Sequence, residues 1–127
     1  MQKLGGVSLI VADYDEAIEY YTKVLGFELV QDEPQAEKRW VVVKPKGPDG
    51  SHIILAQAKN DSERDAIGRQ GAGRVWLFLH TDDFERDHQI YLNKGVRFLE
   101  TPRNEDYGKV AVFEDIYRNK WDLLELK

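Results

Sequence analysis

Two periodicities of hydrophobic and polar positions alternate along the chain. An apolar, β-branched run over 7–12 ends at Asp13, and apolar residues then recur three and four positions apart, as on one face of a helix: Tyr14, Ala17, Ile18, Tyr21 and Leu25. Asp13 and Glu16 match the reciprocal cap of a helix N-terminus, and Gly26 supplies a left-handed residue that ends a helix. The pattern predicts a strand over 7–12 and a helix over about 14–25.

Short apolar runs follow this predicted helix and are separated by turn-forming residues. Residues 27–30, 40–44 and 52–58 are predicted as strands, with turns around Pro34 and over 45–50. The first half of the chain is therefore predicted to have the order β-α-β-β-β.

The same pattern returns in the second half. An apolar strand is predicted over 75–81, and a helical stripe follows it before Gly95: Phe84, His88, Tyr91 and Leu92. Three pairs of residues at corresponding positions are 69 residues apart: Asp13 and Asp82, Glu16 and Glu85, Gly26 and Gly95. Strands are predicted over about 96–100, 109–114 and 120–126, so one supersecondary unit is present twice.

A polar segment with several glycines separates the two copies. We expect a single domain over 1–127, with a first unit at about 4–58, a linker at about 59–74 and a second unit at about 75–127. Each unit is half the size of a typical domain, so its sheet must bury a face against the other copy or against a second chain. The predicted fold class is α+β, with two tandem βαβββ units.

Composition and charge exclude several classes of function. Among 127 residues, 18 Lys and Arg stand against 23 Asp and Glu, and the net charge of −5 has the wrong sign for neutralising nucleic-acid phosphates. The absence of cysteine excludes disulfides, thiolate nucleophiles and cysteine-bound metal clusters. Uncharged runs are far shorter than the roughly 20 residues that span a bilayer, and the apolar run after Lys3 is too short for a secretory signal. We expect a cytoplasmic protein with no nucleic-acid or membrane partner.

Two segments carry a resemblance to a known family. Residues 11–27, VADYDEAIEYYTKVLGF, and residues 110–123, VAVFEDIYRNKWDL, resemble segments of the vicinal oxygen chelate (VOC) superfamily, which includes glyoxalase I, bleomycin-resistance proteins and extradiol dioxygenases. The resemblance implies a glyoxalase/bleomycin-resistance-like cup formed by the sheets of the two units. One departure lies in the last hairpin, where Arg118 stands in place of the glycine usual in the family.

The resemblance also implies where a metal would be held. Metal-dependent members bind a divalent ion through His or carboxylate side chains on four strands of the cup. At the first three of these positions this chain has Gly6, Ile54 and Trp76, and only Asp122 has a side chain of ligand type. We therefore expect no metal cofactor at the usual site.

A relocated metal site is the alternative. Strand side chains alternate between the two faces of a sheet, so His52 is expected on the face of Ile54 and His80 on the face of Trp76. With Asp122, the two histidines could hold a divalent ion in the implied cup. Both histidines lie at predicted strand ends, where a histidine usually meets solvent or packs on a helix.

Aromatic and polar residues of the second unit form the candidate ligand-binding set. We expect Trp76, Phe78, His80 and Asp122 to line the cup, with Tyr107 at its mouth. Structural alternatives stay open: the two aromatic strand residues belong to the core, Asp122 pairs with a Lys or Arg at the rim, and Tyr107 is a turn residue.

Functions of three classes fit these residues. The first is a protein of the glyoxalase/bleomycin-resistance type that binds a small organic ligand. The second is a VOC enzyme, a lyase, isomerase or dioxygenase-like protein, that uses the relocated metal or acid–base chemistry at Asp122 or His80. The third is an interaction or regulatory module. The half-sized units, and the pairing of units across chains in the resembling family, predict a homodimer.

Overall fold

Two compact units make up the chain. The computed structural model describes all 127 residues, which divide into Met1–Ile67 and Gly68–Lys127. Each unit has its own sheet, and the predicted α+β fold with two βαβββ-like units is confirmed. No helix of the chain combines the length and the apolar character needed to cross a membrane.

The first unit is built on a four-stranded sheet in the order β1-β4-β3-β2. Its elements are β1 (Gly6–Val11), α1 (Tyr14–Glu19) with a π-helical turn (Tyr20–Val24), β2 (Glu28–Gln35), β3 (Lys38–Lys44), β4 (His52–Gln57) and α2 (Asp61–Ala66). Strands β1 and β4 are parallel, and the other neighbours are antiparallel. Alternate strand residues and the helix form the core: Leu9, Val11, Val41, Val43, Ile53, Leu55, Ala17 and Tyr21.

Two predicted signals of the first helix, the cap at Asp13 and the stop at Gly26, are confirmed. The Asp13 carboxylate accepts a hydrogen bond of 2.8 Å from the backbone N–H of Glu16, and Gly26 follows the helix with a φ of 76°. The helical segment covers the predicted range, but its second part is π-helical rather than α-helical. There the Tyr21 side chain is fully buried and stacks on Phe27 with 5.9 Å between ring centroids.

The second unit has a five-stranded sheet in which β5-β9-β8-β6 are neighbours and β7 also pairs with β8. Its elements are β5 (Val75–His80), α3 (Phe84–Asn93), β6 (Arg97–Phe98), β7 (Arg103–Glu105), β8 (Gly108–Glu114) and β9 (Lys120–Leu126). Asp82, the counterpart of the capping Asp13 in the repeat, is not the cap of α3, because the side chain of the next residue, Asp83, accepts from the N–H of Arg86. Gly95, with a φ of 81°, follows the helix as predicted.

A chain of aromatic rings joins α3 to one face of the second sheet. Phe113 stacks on Trp121 with 5.8 Å between centroids and meets Tyr91 edge to face at 5.6 Å. His88 lies between Phe84 and Phe98, with centroids at 5.3 Å and 4.4 Å, and burial lowers its pKa. His88 is therefore a packing residue, as its place on the helical stripe predicts.

Three local predictions differ from the structure. Helix α2 lies inside the predicted linker, where the Asn60 side chain caps it by accepting from the N–H of Glu63 at 2.8 Å. Strand β7 lies in a stretch where no strand is predicted. Strand β2 runs through Pro34, which is tolerated because β2 is an edge strand with one side of its backbone unpaired.

A buried polar network closes the hairpin between β8 and β9. The Asp115 carboxylate, 4% exposed, accepts hydrogen bonds from the Tyr117 and Asn119 N–H groups, from Asn119 Nδ2 and from Trp121 Nε1. Arg118 lies within this turn at a φ of 68°, in the left-handed region that a β-carbon disfavours. The turn keeps its hydrogen bonds although Arg118 stands where glycine would be free of strain.

We predict that Arg118→Gly raises the free energy of unfolding by about 0.5–1 kcal/mol, because glycine removes the strain of the left-handed conformation. The gain is smaller than the strain itself, because glycine also increases the conformational entropy of the unfolded chain. Arg118→Ala keeps the β-carbon and the strain, so it should lie close to the parent protein. Urea unfolding of the three proteins measures the differences. A less stable Arg118→Gly protein would contradict the prediction.

Candidate functional site

A row of side chains crosses the open face of the second sheet. Asp122 on β9 lies opposite Phe78 on the parallel strand β5 and opposite Val112 on the antiparallel strand β8. Residues that are register partners point to the same face. The N–H of Leu99 bonds to the Val112 carbonyl at 2.9 Å, which continues the row towards β6. Asp122 is therefore flanked by apolar residues on both sides.

The next row contains His80. His80 lies opposite Leu124, which in turn lies opposite Val110. Both His80 and Phe78 are exposed, and Phe78 keeps 59% of its surface accessible. Two positions along a strand span roughly 6.6 Å, so His80, Phe78 and Asp122 share one patch on this face.

Helix α3 packs on the opposite face of this sheet. Trp121, Leu123 and Glu125 alternate with Asp122 along β9 and point towards the helix. The Glu125 carboxylate accepts a 2.6 Å hydrogen bond from the N–H of Phe84, the first residue of α3. Within this unit, the face that carries Asp122 is thus the one that the helix leaves open.

The Asp122 carboxylate has an unmet hydrogen-bonding oxygen. Its Oδ1 atom is buried and has no hydrogen-bond partner, and no ion pair joins Asp122 to a Lys or Arg. Burial raises the pKa of Asp122, Arg103 acts in the opposite direction, and the negative charge of Glu100 adds to the increase. Asp122 is interpreted from the sequence either as a ligand-binding residue or as one half of an ion pair at the rim, and the structure does not contain this ion pair.

Arg103 is held by other carboxylates. Its Nε and Nη1 atoms bond to Glu100 and Glu105, each at 2.9 Å. The second Glu100 oxygen accepts from the N–H of Val112 at 2.9 Å. The guanidinium near Asp122 is therefore already shared between two acids, which explains why it does not neutralise a third.

Two other predicted residues lie at the margins of this sheet. The β5–β9 register shifts between Val75 and Leu77, and Trp76 lies at this irregularity. Its half-buried side chain lies against Gly71, where an added β-carbon would come within 2.7 Å of the Trp76 β-carbon. Tyr107 lies in the turn between β7 and β8 and is 48% exposed.

The position implied for the first metal ligand is closed to a side chain. Gly6 pairs with His52 across the parallel strands β1 and β4, and a β-carbon at Gly6 would lie 2.5 Å from the His52 carbonyl oxygen. Ile54 lies opposite Ser8 in the same pairing. A ligand at residue 6 would thus require β1 to move away from β4.

No group of three or more His, Asp or Glu side chains in the 127 residues is arranged to hold a metal ion. The alternative set of His52, His80 and Asp122 therefore has no geometric support in the chain as it is folded. The absence of a metal cofactor remains a prediction, and metal analysis of the purified protein would test it.

A cleft that the sequence did not indicate lies in the first unit. It has a volume of about 950 Å³, and none of the predicted ligand residues lines it. Its apolar floor includes Ile10 and Ala56, which are register partners on β1 and β4. The rim includes Lys38 near the β2–β3 turn and Glu63 of α2. The cleft depends on helix α2 and on the long hairpin, neither of which the hydrophobic pattern predicted.

Comparison with known proteins identifies similar sequences over almost the whole chain. The profile of the Glyoxalase/Bleomycin resistance protein/Dioxygenase superfamily matches residues 3–123. An uncharacterized protein of Shewanella frigidimarina (strain NCIMB 400) is 50% identical over 127 residues, covering 98% of this chain and 94% of the relative.

Solved structures of the same architecture are also similar. The crystal structure of UcmS2 superposes with a TM-score of 0.84 at 28% identity, covering 98% of each chain. TnmS3, described as an antibiotic binding protein from Streptomyces sp. CB03234, has a TM-score of 0.80 at 27% identity, covering 100% of this chain and 98% of its own.

We predict that Asp122→Asn stabilises the protein at pH 7 by about 0.5–1 kcal/mol. The amide keeps an acceptor oxygen but lacks the negative charge that burial disfavours, and the gain is small because Asp122 is only half-buried. Because the folded-state pKa of Asp122 is raised, its protonated form stabilises the fold fully below about pH 4 and this contribution is lost as the pH rises through the folded pKa.

The difference in the free energy of unfolding between the Asp122→Asn protein and its parent should therefore be largest near neutral pH and should disappear on acidification. Thermal unfolding of both proteins between pH 3.5 and 7 measures it, with Asp106→Asn in the exposed β7–β8 turn as a matched control. A protein that is less stable than its parent at pH 7 after Asp122→Asn would refute this account of the carboxylate.

Proposed function

The chain belongs to the Glyoxalase/Bleomycin resistance protein/Dioxygenase superfamily, and from this premise we propose that it is a cytoplasmic protein that binds a small organic ligand on the open face of its second sheet. The ligand contacts are assigned to Phe78, His80 and Asp122, with Trp76 and Tyr107 at the margins. The ligand is bound without a metal at the positions usual in the superfamily.

One observation carries this proposal. A buried carboxylate oxygen without a hydrogen-bond partner lies beside an aromatic ring that is 59% exposed, on a sheet face that the unit's own helix does not cover. Both features cost stability, since an unmet acceptor and an exposed ring are each better satisfied by a bound molecule. The similarity to TnmS3, an antibiotic binding protein, supports ligand binding as the function.

A second candidate, a glyoxalase-like lyase or isomerase, is favoured by the raised pKa of Asp122. A carboxyl group that keeps its proton closer to neutral pH is suited to general acid catalysis. Catalytic consumption of a bound compound, abolished by Asp122→Asn, would favour the enzyme over the binding protein.

We predict that Phe78→Ala weakens binding of any aromatic ligand by about 5–30-fold, because it removes the ring against which the ligand packs, a loss of roughly 1–2 kcal/mol. A thermal-shift screen of aromatic antibiotics and metabolites identifies the ligand, and calorimetry gives the affinities. Ile90→Ala, which removes a side chain that is 42% exposed on α3, is the control and should leave affinity unchanged.

Ligand binding in the cleft of the first unit would contradict the proposed site. Ala56→Leu adds bulk to the cleft floor and leaves the second sheet untouched. If Ala56→Leu abolishes binding and Phe78→Ala does not, the ligand lies in the cleft and the assignment to the second sheet is wrong.

We also predict that the protein is a homodimer. Leu29 and Val30, which are 44% and 40% exposed, lie on β2 at an unpaired edge of the first sheet, and such an edge is usually covered. Light scattering or sedimentation at micromolar concentration should give twice the chain mass of 14.7 kDa. A single-chain mass across the micromolar range would contradict it.

A further inference from the structure

We propose that the patch around Asp122 selects an organic cation, a ligand whose protonated amine donates a hydrogen bond to the half-buried Asp122 carboxylate while its carbon skeleton lies on Phe78. The inference rests on the proposed function, because it assigns the chemical class of the ligand that binds at the same site.

The first step is the unmet acceptor. An ionised carboxylate only accepts hydrogen bonds, so the partner that Asp122 Oδ1 lacks must be a donor. A charged donor forms a shorter and stronger bond with a carboxylate than a neutral donor does. A ligand amine therefore gains more from this oxygen than a hydroxyl group of the same shape.

The second step is the charge around the carboxylate. Arg103 is the positive group that acts on Asp122, and it is bonded to both Glu100 and Glu105. Three acids thus surround one guanidinium. Adding a ligand cation would balance this excess of negative charge, and adding an anion would increase it.

The other charged groups of this face are engaged elsewhere. Glu114 on β8 pairs with Arg97 on β6 at 3.4 Å, and the ammonium of Lys120 on β9 bonds to the Gly73 carbonyl at 3.0 Å. His80 on β5 is the remaining titratable group on the patch, one row away from Asp122. The two cations nearest to Asp122 on this face, Arg103 and Lys120, are each already bonded to oxygen atoms of the chain.

The third step is the apolar surface beside the carboxylate. Phe78, opposite Asp122 in the register, offers an exposed ring face to which a cation and its alkyl or aromatic skeleton are attracted. Val112 and Leu99 continue the apolar row on the other side. A ligand with a cationic end and an apolar body matches both features at once.

The test compares three probes of nearly equal shape: 2-phenylethylammonium, 2-phenylethanol and 3-phenylpropionate. Affinities are measured at pH 7 by chemical-shift titration of the full chain. The ammonium is expected to bind at least about 10-fold more tightly than the alcohol, with the carboxylate weakest, because a charge-assisted bond replaces a neutral one. Equal affinity of the ammonium and the alcohol, or tighter binding of the carboxylate, would overturn the proposal.

Two variants separate the specific contact from the general charge. Asp122→Asn should weaken the ammonium by about 10-fold or more and the alcohol by less than about 2-fold, since only the ionised acceptor is lost. Glu114→Gln removes one negative charge from the same face without touching Asp122, and should change the ammonium affinity by less than about 3-fold at 0.15 M salt. Equal losses in both variants would overturn the specific bond to Asp122.

Failure of this inference is distinguishable from failure of the proposed function. If the ammonium and the alcohol bind equally and Phe78→Ala weakens both, the site binds small molecules and the assignment to cations is wrong. If no probe and no compound of the thermal-shift screen binds, the proposed function fails, and the cation inference falls with it. Melting curves of each variant establish that it is folded.

Discussion

The parallel pairing of the first and last strands of each unit is the constraint on which the rest of the structure depends. Strand β1 pairs with β4, and β5 pairs with β9. Parallel neighbours cannot be joined by a tight turn, so the chain leaves the first strand through a helix before it returns. In the second unit that helix covers one face of the sheet through Trp121 and Phe113, and the other face stays open for Asp122 and Phe78.

This pairing explains why an acid can lie among apolar residues. Asp122 is in the central part of β9, where Phe78 and Val112 occupy the neighbouring strands. The Glu100 carboxylate accepts hydrogen bonds from both the Val112 N–H and the Arg103 guanidinium, so these nearby donors do not bond to Asp122. The carboxylate is thus less stable in this fold than it would be in water, a feature typical of residues kept for binding or catalysis.

In the first unit, the parallel pairing of β1 with β4 decides whether residue 6 could carry a metal-binding side chain. Close approach of β1 to β4 leaves 2.5 Å between a β-carbon at Gly6 and the His52 carbonyl oxygen. The glycine that permits this approach stands where metal-dependent relatives are expected to have a histidine. The close packing of β1 on β4 is therefore incompatible with a side chain at residue 6.

Local periodicity and capping determined much of this protein before any tertiary contact was known. Most strands, the helix after Asp13 and the stop at Gly26 depend on residues within a few positions of one another, and the repeat follows from the return of these local signals 69 residues later. Alternation along β5 placed Phe78 and His80 on one face, since side-chain direction follows from the strand itself, and the resemblance to the VOC superfamily added Asp122 on β9.

Only the tertiary structure decided which of these side chains have partners. Arg103, Glu100 and Glu105 lie on β7 and the loop before it, where no hydrophobic pattern marks a strand, and their bonds leave Asp122 Oδ1 unmet. The irregularity that holds Trp76 against Gly71, and the cleft that α2 helps to line, also arise from contacts between separate segments. Hydrogen bonds and steric contacts between distant residues depend on register and packing, which a single sequence does not encode in any local pattern.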